Sequence, residues 1–167
     1  MPAVSAVVTL VEDWPEGFVR EQLANAEKRF ADCHVSLTFT RGRASSEAQF
    51  EVRFIQSLAA VGGKPIEGRS FNIGTRQIVE IAWADAKGEP LDHKQTLVHE
   101  LGHASGLGHA SLHTINLMAP HGCIFCHFSQ SQCRLIQGAT SPLPDRDTSN
   151  LVHSRSTHYS STTNKSD

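Results

Sequence analysis

Apolar positions along this chain fall into short strand-like runs and longer helical stripes. Ala3 to Val11 is a valine-rich apolar run, the pattern of a buried strand. Asp13-Trp14-Pro15 then opens a helix, with proline tolerated in its first turn. Val19, Leu23, Ala26, Phe30 and Cys33 follow at helical spacing, while Arg20, Glu21, Glu27, Lys28 and Arg29 supply the wet face. Val35 to Thr40 alternates Val35, Leu37 and Phe39 with hydroxyl residues, and Phe50 to Ile55 repeats the alternation through Phe50, Val52 and Phe54. Both read as half-buried strands.

"AVGGKPIEGRSFNIGTRQ" reads as a long glycine-rich loop with a short strand at Phe71 to Ile73. Ile78 to Asp85 is the next strand. Lys94 to Ser105 is then a helix with Asp92 as its cap, followed by an irregular stretch from Gly106 to Phe128. Ser129 to Gln137 reads as a last short helix, capped by Ser129. From Gly138 the chain is Ser/Thr/Asn/Asp-rich and almost without apolar residues, the composition of a disordered tail. The expectation is an α+β domain over residues 1–137 and a disordered tail over 138–167. Its twisted mixed sheet packs on two helices, with a small loop-rich C-terminal subdomain.

Composition narrows the function. Charged residues make up 19% and the net charge is −2, without a basic block, so nucleic acid is not an expected partner. No apolar run approaches the ~20 residues of a membrane span. The N-terminus has no secretory pattern; the expected location is cytoplasmic or reached by non-classical export, unless a leader has been removed.

The chemistry concentrates in "HELGHASGLGH", His99 to His109. On a helix His99 and His103 are four residues apart, so both imidazoles leave one face and can share a zinc. Glu100 lies about 100° further round, beside the metal, where it can hold a water without being a ligand. Leu97, Leu101 and Ala104 form the dry back of the helix. Gly106 can end the helix in a left-handed conformation, and Gly108 adds freedom, so His109 can swing back as a third ligand. Two histidines at helical spacing mean little in a chain with ten. The full five-residue pattern arises at random with odds of only ~10⁻⁴. Three imidazoles with an open fourth position make a catalytic rather than a structural zinc site.

"HELGHASGLGH" resembles the long zinc signature of the metzincin metallopeptidases, and Met118 in "NLMAP", nine residues past His109, is similar to their Met-turn. The resemblance implies a metzincin-like fold and a zinc-dependent endopeptidase, with a peptide or protein as substrate. It implies zinc on His99, His103 and His109, Glu100 as general base and acid, and Met118 as floor of the site. Ala110, after the third histidine, leaves the subfamily unassigned. A substrate would lie along an edge strand, with Phe71 to Thr75 the candidate, and Ala119, Pro120 and His121 would wall its pocket. The other readings are a zinc hydrolase of a non-protein substrate and a non-catalytic zinc-scaffold binding module; the intact Glu100 argues against the second. A monomer is expected.

Cys123, Cys126 and Cys133, near His121 and His127, can hold a second, structural zinc, form a disulfide, or stay reduced. Thiols or a disulfide are favoured over the metal. A link from Cys123 or Cys126 to Cys133 would steady the loop-rich end. Cys33 is expected to be a small buried hydrophobe.

Overall fold

The computed structural model describes residues 2–10, 14–42, 48–59, 66–74, 76–91, 93–111, 114–119 and 126–140. Five strands form one twisted sheet: β1 (Ala3–Leu10), β2 (Ser36–Arg41), β3 (Phe50–Ile55), β4 (Gly68–Ile73) and β5 (Arg76–Ala82). Their spatial order is β2-β1-β3-β5-β4. All neighbours are parallel except β4, which runs antiparallel to β5 and forms one edge. Three helices accompany the sheet: α1 (Glu16–Asp32), α2 (Thr96–Ala104) and α3 (Gln130–Thr140).

Strand alternation decides which face the helices cover. Val4, Ala6 and Val8 of β1, Val52 and Phe54 of β3, and Val79 and Ile81 of β5 enter one core with Val19, Ala26 and Phe30 of α1 and Leu97, Val98 and Leu101 of α2. The intervening residues form the other face. There Arg53 bridges Glu51 (2.7 Å) and Glu80 (3.6 Å), Arg69 adds a 2.6 Å contact to Glu80, and Arg76 lies 3.4 Å from Glu51. Helix α1 packs on β2, and α2 on β4 and β5. Among the described residues no helix is long and apolar enough to cross a membrane.

The start of α2 is held from outside. Its first turn has no side-chain cap of its own, and Asp92 lies outside the described residues. Instead Gln22 of α1, fully buried, accepts the Leu97 amide (3.0 Å) through Oε1 and donates to the His93 carbonyl through Nε2. One side chain thus satisfies an orphan donor of the helix and a carbonyl of the preceding turn.

The C-terminal helix and the residues around it depart from the sequence expectation. The helix runs from Gln130 to Thr140, which is buried, rather than ending at Gln137; residues 141–167 lie outside the described set. Cys33 is buried as expected but is not a bystander: it forms a disulfide with Cys133, joining the end of α1 to α3 across 100 residues of chain. Cys126 is also disulfide-bonded, and no described cysteine is free, so neither it nor Cys133 has a thiolate left for a second zinc. Cys123 and His121 lie outside the described residues. Arg29 belongs to this junction rather than to the wet face. It is buried and donates to His127 Nδ1 (2.9 Å), while Phe30 meets Phe128 edge-on with centroids 6.0 Å apart. Helical periodicity cannot foresee this, because the partners, His127 and Phe128, come from a segment 98 residues further along the chain.

A cross-link closing a loop this long removes about 4.7 kcal/mol of denatured-state entropy in the chain-entropy model. Cys33→Ser or Cys133→Ser is therefore expected to lower unfolding stability by about 2–5 kcal/mol in urea melts under non-reducing conditions. In the presence of a thiol reductant the variants should melt with the wild type. Equal non-reducing midpoints would show that packing alone holds α3.

Candidate metal centre

Helix α2 carries the first half of the site, and its end creates the second half. Gly106 adopts φ +89°, its amide bonds the His103 carbonyl (2.8 Å), and the Leu107 amide bonds the Gly102 carbonyl (3.0 Å). This pair of bonds is a Schellman motif, which satisfies the last carbonyls and turns the chain sharply out of the helix. Gly108 does not take a positive φ, so the reversal rests on Gly106. Three residues later His109 arrives beside the two helical histidines.

His103 Nε2 lies 3.1 Å from His99 Nε2 and 3.1 Å from His109 Nε2. The far nitrogens of two of these rings are anchored on the backbone. His99 Nδ1 donates to the Leu117 carbonyl (2.7 Å), and His103 Nδ1 donates to the Leu107 carbonyl (2.8 Å). A carbonyl only accepts, so both Nδ1 atoms carry the proton and both Nε2 atoms present lone pairs. Lone pairs 3.1 Å apart repel unless a cation lies between them. Nitrogen ligands at 2.0–2.1 Å around a tetrahedral ion would be separated by about 3.3 Å. The two separations from His103 are close to those of zinc ligands, and one nitrogen from each of the three rings lies within 4.8 Å of the other two. Burial, against those carbonyl hydrogen bonds, holds the His99 and His103 pKa values below the usual imidazole value, which keeps both rings neutral and able to ligate. Among the described residues no fourth His, Cys, Asp or Glu joins the group.

Glu100 points from the same helix towards β4. It is 8% exposed, and burial pushes its pKa up from 4.5 to about 7, with a hydrogen bond from Ser70 acting the other way. The close approach of β4 to α2 depends on Gly68: a Cβ there would lie 2.7 Å from Thr96 Cγ2 and 2.8 Å from Glu100 Cγ. Beneath the helix Met118 is fully buried, and a Cβ on Gly102 would come within 2.5 Å of its sulfur. A cleft of about 440 Å³ opens beside His103, between Ser70, Phe71 and Asn72 of β4 and the end of α2.

The fold thus gathers His99, Glu100, His103, His109 and Met118 from two segments of chain. The candidate edge strand is at the sheet edge, as β4, although Thr75 is outside the described residues. Ala119 is buried two residues from the Leu117 carbonyl; Pro120 and His121, the rest of the expected pocket wall, lie outside the described residues. Sequence reasoning missed Ser70 and Gly68, which sit in a stretch whose glycines and polar residues read as a loop.

Two outcomes follow from this geometry. Gly68→Ala should push Glu100 aside while sparing the histidines. The variant is expected to lose about 1–3 kcal/mol of unfolding stability in urea melts without losing the capacity of the histidines to bind a metal. An unchanged midpoint would show that Thr96 and Glu100 make room for the methyl. The second outcome concerns metal-free protein. Because the folded-state pKa of Glu100 is raised, its contribution to stability is fully present below pH 4.5 and is lost as pH rises through about 7. Glu100→Gln should therefore melt above the wild type at pH 8, with the gap closing towards pH 4.5. A gap independent of pH would contradict the burial of a charged carboxylate.

No protein-family model and no curated relative matches the chain by sequence. Its fold is similar to that of the crystal structure of archaemetzincin from Methanopyrus kandleri, with a TM-score of 0.57 and 15% identity over 81% of this chain and 94% of that one. The likeness establishes an archaemetzincin-like fold, and within it this chain brings together three histidines that could hold a metal.

Proposed function

We propose that this chain is a zinc-dependent peptidase of the metzincin type, with His99, His103 and His109 as zinc ligands, Glu100 as general base and acid, and Met118 as the floor of the site. The observation that carries this reading is the inward convergence of imidazole Nε2 atoms, two of them with Nδ1–H held on a backbone carbonyl, beside a buried carboxylate outside the triangle. The archaemetzincin-like fold supports it. His99, His103 and His109 would hold the zinc, which would serve as a Lewis acid towards the scissile carbonyl and the attacking water. Glu100 takes a proton from the attacking water and returns it to the departing amine nitrogen. Ser70 holds the carboxylate while it does so. Among the described residues strand β4 has a strand partner on one side only, so an extended peptide can pair along its outer edge. That recognition favours a peptide or protein over a small non-protein substrate. The disulfide between Cys33 and Cys133 fits an oxidising compartment.

Elemental analysis and a mixed peptide library test the reading together. The wild type should carry one zinc per chain and cleave peptides, and His103→Ala should lose the metal. Glu100→Gln should keep the zinc and lose about 10²–10⁴-fold in rate. Equal zinc in wild type and His103→Ala would remove the ligand assignment. A zinc-loaded wild type that hydrolyses small esters but no peptide would remove the substrate class.

A further inference from the structure

The carbonyl that orients His99 belongs to Leu117, in a segment with no helix or strand of its own. Something must fix that carbonyl, because a free loop would let the imidazole swing. The backbone supplies part of the answer: Leu117 donates to the His127 carbonyl (3.2 Å), and the Met118 carbonyl accepts from Ala110 (2.8 Å). The rest is one side chain, Asn116, nearly buried at 9% exposure. Its Oδ1 accepts the Met118 amide (2.8 Å), an Asx turn that sets the backbone around Leu117.

Asn116 is in turn held by Gln132. Asn116 Nδ2 donates to Gln132 Oε1 (2.8 Å), and Gln132 Nε2 donates back to Asn116 Oδ1 (3.2 Å). Gln132 is also the last residue of a capping box that begins at Ser129: its Oε1 accepts the Ser129 amide (2.8 Å), and its own amide bonds Ser129 Oγ (3.3 Å). The first turn of α3 therefore does two things with one amide. It caps its own helix, and it clamps the turn whose carbonyl aims a metal ligand.

We propose that Asn116 and Gln132 form a positioning pair for the metal centre, acting on zinc affinity through the Leu117 carbonyl and His99. This deepens the reading of the histidine triad as a zinc site and rests on it. Ser129 separates the two roles of the clamp. Ser129→Ala removes the hydroxyl of the cap but leaves Gln132 free to hold Asn116 and the Ser129 amide.

The test is zinc affinity by chelator competition on the full chain, with thermal melts of the metal-free forms and visible spectra of the cobalt-loaded forms. Asn116→Ala and Gln132→Ala are expected to weaken zinc on the order of 10–100-fold and to change the cobalt spectrum. The double variant should be no weaker than the worse single one. Ser129→Ala should lower the melting temperature yet bind zinc as the wild type does. If Asn116→Ala fails to fold, Gln132→Ala, whose side chain is only partly buried, decides the matter. The proposal falls if Gln132→Ala binds zinc within twofold of the wild type, or if Ser129→Ala weakens zinc as much. A wild type that binds no zinc would instead overturn the triad reading itself.

Discussion

Three imidazoles with converging Nε2 atoms are an arrangement that a folded chain holds against its own electrostatics. Deprotonated nitrogens 3.1 Å apart repel, and protonating them would place positive charges at the same distance. Both helical rings are kept in place by an Nδ1–H bond to a carbonyl that cannot reverse its role. The rest of the structure can be understood as the support of those two carbonyls. One belongs to Leu107, immediately after the Schellman turn at Gly106; the other belongs to Leu117, in the turn above Met118.

The two supports differ in physical character. The Leu107 carbonyl is local to α2: the turn that ends the helix also delivers the acceptor for the ring four residues before it. Its geometry follows from a positive φ at Gly106 and two backbone bonds. The Leu117 carbonyl is held from a distance, through Asn116, Gln132 and the first turn of α3, and α3 is itself fastened to α1 by a disulfide and by the Gln137–Cys33 hydrogen bond (2.7 Å). Leu117, Met118, Phe128 and Ile136 of this loop-rich end enter the common core, and polar side chains and a cross-link add to that packing.

The same economy appears at the entrance to α2. Gln22 caps that helix from α1 and is fully buried, so the ligand-bearing helix is seated on its neighbour by polar as well as apolar contacts. On its other side β4 approaches so closely that a methyl at Gly68 would overlap Glu100. The carboxylate is thereby pressed between helix and edge strand, where burial raises its pKa and Ser70 partly offsets the cost of charging it. The burial of Glu100 and the edge place of β4 are two results of one strand position.

The residues that can hold a metal were legible in the sequence because their geometry is local. An i, i+4 pair on a helix, a glycine at the reversal and a third histidine three residues later need only backbone stereochemistry to converge. The strands at Ala3, Val35, Phe50 and Ile78 were legible for the same reason, since a buried run or an alternation reports burial residue by residue. The strand at Gly68 was legible only at its Phe71 to Ile73 end, because Gly68, Arg69 and Ser70 look polar and flexible until a helix lies against them. Tertiary structure alone decided that Cys33 pairs with Cys133, that Arg29 is buried, that Gln22 caps α2, and that Asn116 and Gln132 meet. Each of those contacts joins residues far apart in the chain. Periodicity and composition describe only neighbours, and partners this distant become adjacent once the apolar faces of sheet and helices have closed on one another.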